Sequence, residues 1–430
     1  SVITRKIAYL VESCGISASR IAAVTFTNKA AREMKERVGK LLGSAVAEGL
    51  TVSTFHQLGL KIIRSERREL GLKSGFSIFD GEDTRTLIRD LLIQEHGSDG
   101  DQANTIAQRI SHWKNDRVLP EQALAAASGP ADILCAQAYL RYKRALKAYN
   151  ALDFDDLILL PTILFEQSPE ILERWQHRLH YLLVDEYQDT NSSQYLLVRQ
   201  LIGNRGGLTV VGDDDQSIYA WRGARPENLV QLQDDFPGLK VIKLEQNYRS
   251  SQTILRAANG VIANNQGRLG KELWTAGESG EPITLYAGFN EQDEARYIVE
   301  QIERWTGAGN NRASAAILYR SNAQSRVLEE ALIRAGMPYR IYGGQRFYER
   351  LEIKNALSYL RMMLNCHDDV AFERIVNVPP RGIGDRTLEL IRELSREQNS
   401  SLWTAASTIV AEKRLAARAT NAVAVFIELI

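Results

Sequence analysis

The sequence predicts an α/β protein built on doubly wound parallel sheets, and three observations carry that reading. Short apolar runs of strand length end in polar loops: Ile21 to Phe26, Thr51 to Phe55, Tyr181 to Val184, Leu208 to Val211 and Val241 to Leu244. Such runs suit strands covered on both faces, as in parallel sheets flanked by helices. Stretches with helical spacing follow several of them, as right-handed strand–helix–strand crossovers demand. From about residue 57 to 153 the strand signals fade and helical stripes replace them, the pattern of a domain inserted into a sheet.

The 430 residues exceed one ordinary core and imply two to four domains. Lys and Arg together number 53, as do Asp and Glu, so any phosphate-binding surface has to be local. Cys14, Cys135 and Cys366 are far apart and form no CxxC, which argues against a zinc site or disulfide framework and fits a reducing cytosol. No segment has the length and purity of a membrane span; the most apolar run, Leu157 to Phe165, is broken by Pro161. The expected location is therefore cytoplasmic, with no membrane partner. The first residues read as the middle of an amphipathic helix and the last, NAVAVFIELI, as a helix without a cap. Both termini read as cuts, and the chain as a fragment.

Ile7, Leu10 and Val11 have helical spacing and open the chain in a helix ending near Gly15. After the first strand, Thr27-Asn28-Lys29 offers an N-cap for a helix carrying Ala30, Met34, Val38 and Leu41 on one face and Lys29, Arg32, Lys35 and Arg37 on the other. In the helical stretch, Ile106, Ile110 and Trp113 form one stripe, and Ala136, Leu140, Ala145 and Leu146 belong to another. Asp153 to Leu160 (DFDDLILL) leads back to the sheet. A second unit begins after Asn264, with strands expected at Ile283 to Tyr286, Ala315 to Tyr319 and Tyr339 to Tyr342, and helices at Glu291 to Trp305 and Gln324 to Arg334. From about Gln345 the chain is read as helical to its end, interrupted by the loop Pro379 to Gly384.

Ligands of open parallel sheets sit beyond the carboxyl ends of the strands. Five loops fall there: Thr25–Thr27, Thr54–His56, Asp185–Asp189, Gly212–Trp221 and Gln246–Ser250. Asp185 and Glu186 are adjacent carboxylates, one able to hold Mg²⁺ and the other to orient or deprotonate a water. Gln216 can bond a terminal phosphate or its attacking water, Arg249 can set a guanidinium on the γ-phosphate, and Tyr248 can stack on a base. Phe26, Tyr219 and Trp221, with Arg222 beside them, suit stacking and backbone contact along a single strand. Taken singly, each of these residues is better explained by packing or surface; their combined spacing carries the reading.

The chain resembles the superfamily 1 DNA helicases of the UvrD/Rep type. The resemblance rests on AVTFTNKAAREMKERV (23–38), TFH (54–56), LDFDDLILLP (152–161), YLLVDEYQDTN (181–191) and TVVGDDDQSIYAWRGARP (209–226). It continues through LEQNYRSS (244–251), AILYRSNAQSR (316–326) and RIVNVPPRGIGDRTL (374–388), so it spans essentially the whole chain. It implies two RecA-like core domains with helical insertions, ATP and Mg²⁺, and 3′ to 5′ movement along single-stranded DNA toward duplex junctions in replication or repair, beside proteins of those processes. Residue by residue, Asp185 would coordinate Mg²⁺, Glu186 would be the general base, and Gln216 and Arg249 would meet the γ-phosphate. Tyr248 would lie near the adenine. Thr25, Phe26, His56, Tyr219, Trp221 and Arg222 would line the single-strand track, and Gly382, Ile383 and Gly384 would contact duplex.

The resemblance also lays out the domains: residues 1–55 and 155–245 as the first core, 56–154 as its insertion, 246–344 as a partial second core and 345–430 as a truncated second insertion. The family's phosphate loop, GxxxxGK[ST], has no match in the chain; it is expected just before residue 1, with Ser1 to Thr4 its partial tail. Further C-terminal motifs, including a second arginine at the nucleotide, are expected beyond residue 430. The isolated fragment is therefore expected to be inactive. Two alternatives stay open: a non-catalytic DNA-binding or regulatory remnant of a helicase, and a helicase fused to a nuclease.

Overall fold

In a computed structural model, residues 2–96, 102–220, 223–342, 351–398 and 400–430 are described. The chain divides into two compact units, residues 1–245 with 262–272, and residues 246–261 with 273–430. The first unit contains β1 (Ile21–Thr25), β2 (Thr51–Thr54), β3 (Ser77–Phe79), β4 (Ala151–Asp153), β5 (Tyr181–Val184) and β6 (Leu208–Val210). Four of them form a parallel sheet in the order β2-β1-β5-β6, and β3 pairs with β4 in a small parallel sheet of its own.

The register explains why the loops converge. Thr25 lies opposite Thr54, Val24 opposite Val184, and Val184 opposite Val210, so all four strands end at one edge of the sheet. Every residue of β1 is buried, because alternate side chains enter two different cores. Ala22 and Val24 join Leu182, Val184, Phe55, Leu58, Ile62 and Trp175 on one face. Ile21 and Ala23 join Leu183, Ile3, Ile7, Leu10, Met34 and Val38 on the other. The helix Asn28–Leu42 is capped by Thr27, whose hydroxyl accepts from the Ala30 amide at 3.1 Å. Its buried stripe is Ala31, Met34 and Val38; Ala30 is half-buried and Leu41 exposed, so the face is rotated slightly from the expected one.

The helix Phe55–Ser65, expected within the insertion, instead contributes Phe55, Leu58 and Ile62 to the main core. It packs against the helix Asp156–Gln167, which contains Pro161 in its interior. Pro161 has no N–H for the Leu157 carbonyl, and that oxygen leans against Gly59 of the neighbouring helix. A Cβ added at Gly59 would lie 1.8 Å from the Leu157 oxygen. Gly59→Ala is therefore expected to destabilise the protein by about 3 kcal/mol, read as a lowered urea midpoint, since neither helix can withdraw without opening the core. A wild-type midpoint would show that the two backbones have room to part.

The stretch read as an insertion holds the helices Gly81–His96, Ala103–Asn115, Pro120–Ala125 and Pro130–Ala148. Ile106, Ile110, Ala136 and Leu146 are buried there, with Trp113 stacked on Tyr139 at 5.9 Å. No described helix is long and apolar enough to cross a membrane.

The second unit holds the helix pair Glu291–Gly307 and Ser325–Arg334. It also holds a helical cluster from Leu351–Leu364 to Ala417–Leu429, cored by Phe372, Ile375, Ile391, Ile409 and Phe426. Residues 283–286, 315–319 and 339–342 form no strand, and neither does 241–244 of the first unit. Their apolar side chains stay open: Leu285 is 95 % exposed and Leu318 88 %. Composition suits a strand in each case, but a strand persists only when neighbours take its backbone groups and something covers its face. Among the described residues neither condition is met.

Candidate active site

The site begins where β5 runs out. The Asp185 amide still donates to the Val24 carbonyl at 2.9 Å, as a ladder bond would. Glu186 then turns into the left-handed region, with φ 52° and ψ 43°. A non-glycine residue held there is uncommon, and such strain concentrates at functional sites. The Tyr187 amide is caught by the Val211 carbonyl at 3.0 Å, and Asn191 caps the next helix in a reciprocal box with Gln194. The two carboxylates are thereby fixed at the sheet edge by backbone bonds on both sides.

Burial, and then Glu186, raises the Asp185 carboxyl above its usual range. The same causes push Asp189 up to about 6, and its Oδ1 is buried without a hydrogen-bond partner. No lysine, arginine or histidine among the described residues pairs with Asp185 or Glu186. Asp185, a hard oxygen ligand with no protein cation paired to it among the described residues, fits Mg²⁺.

A buried glutamine joins this loop to the next. Gln188 donates from Nε2 to Glu186 Oε2 at 2.9 Å, and its Oε1 accepts from the Asp213 amide at 2.9 Å. Asp213 in turn accepts from Gln216 Nε2 at 2.6 Å and from the Asp215 amide at 3.0 Å. Gly212 permits the close approach: a Cβ there would sit 3.0 Å from Gln188 Oε1. Asp185, Glu186 and Gln216 are thus brought into one hydrogen-bonded group of loops.

The other candidate residues separate into three sets. At the ends of β1 and β2, Thr25 is 1 % exposed, and half-buried Phe26 meets Phe55 edge-on at 5.5 Å. Burial lowers the pKa of His56, whose ring meets the exposed Phe154 at 6.2 Å. Tyr219 is partly exposed beyond the Gln216 turn, and Trp221 and Arg222 lie outside the described residues. Tyr248 and Arg249 belong to the second unit. There Tyr248 is open to solvent and the Asn247 side chain accepts from the Arg249 and Ser250 amides, both at 2.8 Å. Also in that unit, Gly382 takes φ 76° and Gly384 starts the helix Asp385–Glu397, while Ile383 between them is buried. The isoleucine anchors the loop from below. Both glycine Cβ positions face open space, leaving the backbone approachable at a helix start.

Sequence reading missed Gln188, Asp213 and Phe154. The first two lie inside recognised motifs, but nothing local says that Gln188 reaches across to the Asp213 amide. Phe154 sits in DFDD, where an exposed aromatic between acids was the available signal.

Comparison with known proteins agrees with this architecture. A family model for the UvrD/REP helicase N-terminal domain matches residues 1–237, and one for the UvrD-like helicase C-terminal domain matches residues 242–412. The chain belongs to the UvrD/REP helicase family. It is 51 % identical over 418 residues to the ATP-dependent DNA helicase Rep of Salmonella typhimurium, covering 97 % of this chain and 62 % of that protein. It is 47 % identical over 429 residues to DNA helicase II of Escherichia coli, covering 100 % of this chain and 59 % of that one. Against the ATP-dependent DNA helicase PcrA of Staphylococcus aureus identity is 45 % over 405 residues, covering 94 % and 55 %. The chain thus spans about three fifths of the length of these relatives.

Proposed function

We propose that the intact protein is an ATP-dependent DNA helicase that hydrolyses ATP at the loops beyond β5 and β6 and uses the cycle to move along single-stranded DNA. The observation that carries this reading is the hydrogen-bonded path from Glu186 through Gln188 and Asp213 to Gln216. It holds a carboxylate base and a phosphate-sensing amide in fixed relation, as phosphoryl transfer requires. Asp185 would hold Mg²⁺, which supplies charge neutralisation on the phosphate oxygens when bound. Glu186 accepts the proton of the attacking water, Gln216 orients that water, and Arg249 meets the γ-phosphate while Tyr248 stacks on the base. Thr25 shapes the end of β1, and Phe26, His56, Tyr219, Trp221 and Arg222 follow the single strand. The glycine-flanked Ile383 loop, with Gly382 and Gly384, meets duplex phosphate. Polarity from 3′ to 5′, a cytoplasmic place in replication or repair, and partner proteins of those processes complete the reading.

Strand displacement on duplexes with a 3′ or a 5′ single-stranded tail tests it. ATP-dependent opening of the 3′-tailed substrate is expected; tight binding of single strands with no turnover would instead favour the non-catalytic alternative. Base–aromatic stacks are worth about 1–3 kcal/mol each, so Trp221→Ala should weaken single-strand binding roughly tenfold. Thermal melts of the same variant separate stacking from folding. Unchanged affinity in a folded variant removes Trp221 from the track.

A further inference from the structure

Asp213, Asp214 and Asp215 place three carboxylates within 4.8 Å of one another, at the base of the turn that carries Gln216. Like charges this close repel, and left alone they would open the turn. They are not left alone. Residues 262–272 lie within the range of the second family model, yet they dock on the first unit. Lys271 Nζ contacts Asp213 and sits 3.3 Å from Asp215 and 3.7 Å from Asp214. Arg268 forks onto Asp215, its Nε and Nη2 each donating at 2.7 Å to a different oxygen. The Leu269 amide donates to Asp214 Oδ2 at 2.8 Å. The docked segment is held from below, since Lys243 Nζ donates to the carbonyls of Leu269 at 3.1 Å and Gly270 at 2.6 Å.

This arrangement is more than a surface pair. The Lys271 and Asp215 side chains are only 17 % and 11 % exposed, and the Arg268 fork holds the Asp215 carboxyl below its ordinary range. An ammonium already stands among the three carboxylates, where a metal ion would otherwise be sought. Asp213 is also the acceptor that fixes Gln216, and its amide is the group that Gln188 grips.

We propose that Lys271 and Arg268 are positioning residues of the phosphoryl-transfer site. They clamp the Asp213–Gln216 turn, and through Asp213 they set both the Gln216 amide and the Gln188 link to Glu186. The proposal rests on the function given above, so its test has a readout that needs no turnover. Hydrogen–deuterium exchange of peptides covering residues 212–218 is measured in the intact wild-type protein and in Lys271→Ala, Lys271→Arg and Arg268→Gln. Single-strand-stimulated ATPase rates and KM for ATP are measured on the same samples.

Lys271→Ala and Arg268→Gln should speed exchange in that segment. They should also lower kcat about tenfold or more, with KM changed much less, because a displaced turn costs alignment and not ground-state binding. Lys271→Arg should recover most of both. Faster exchange with full turnover shows a structural clasp with no positioning role and overturns the proposal, as does wild-type exchange in both disrupted variants. If the wild-type protein does not hydrolyse ATP on DNA, the functional reading fails, while the exchange data still decide whether the clasp holds the turn. Should Lys271→Ala fail to fold, Arg268→Gln carries the test alone.

Discussion

Replacing Glu186 with glutamine is expected to lower single-strand-stimulated ATP hydrolysis by the intact protein about a thousandfold while leaving nucleotide affinity within a few fold. A positioned general base contributes roughly 10² to 10⁴ in rate. Glutamine keeps the size of the side chain and an oxygen that can still accept from Gln188 Nε2, so the 2.9 Å link between the loops is preserved. What it loses is the capacity to take a proton. The left-handed backbone at Glu186 is set by the flanking Asp185–Val24 and Tyr187–Val211 bonds and not by the side chain. Folding should therefore be unaffected. Phosphate release and fluorescent nucleotide titration on one preparation check the split. A variant that keeps its rate assigns the base elsewhere, and one that loses affinity and rate together assigns Glu186 to nucleotide binding.

A large loss of stability is expected from Lys114→Ala. Lys114 reaches from the helix Ala103–Asn115 of the insertion to Asp153 and Asp156, donating to each at 2.7 Å, and all three are buried. Tyr142 adds a bond of 2.9 Å to Asp153, and the two aspartates cap each other's backbone amides at 2.9 and 3.2 Å. Burial, then Asp153, pushes Asp156 up to about 6, whereas the lysine holds Asp153 low against the cost of its own burial. Removing the lysine leaves two desolvated carboxylates with no cation, and breaking a buried pair in this way costs about 3–5 kcal/mol. Replacing the whole network, with Lys114→Met, Asp153→Asn and Asp156→Asn together, should cost far less because no charge is stranded. Urea denaturation of the two variants separates these outcomes. Equal losses would mean that packing volume, not charge, governs the junction.

That junction also touches the candidate active site. Ser193 Oγ donates to the Lys114 carbonyl at 3.0 Å, and Asn191 Nδ2 donates to Asn115 Oδ1 at 2.6 Å. Arg225, beyond the Gln216 loop, reaches Asp116 at 2.9 Å. The end of the helix Ala103–Asn115 is therefore bonded to residues that follow both candidate site loops.

How much of this the sequence disclosed depended on how local each signal was. The four strands of the main sheet were legible because burial leaves continuous apolar runs, and Ala22 and Val24 or Ile21 and Ala23 simply divide between two cores; β3 and β4, three residues each, were not. The placement of Asp185, Glu186 and Gln216 beyond strand ends was legible because a strand's end can be counted along the chain. The failures were non-local. The runs at 283–286, 315–319 and 339–342 have strand composition, but pairing is a property of neighbours and not of the run itself. Lys271 and Arg268 carried no signal, since a basic residue far along the chain is silent until the fold lays it on three aspartates.

The central claim is that loops beyond one parallel sheet form a Mg²⁺-dependent ATP site that responds to DNA. Steady-state phosphate release by the intact protein, with and without single-stranded DNA and with and without a chelator, measures it most directly. The account predicts slow release alone, a rise of an order of magnitude or more on DNA, and loss of both on removing the metal. Turnover indifferent to DNA, or persisting without Mg²⁺, would contradict it.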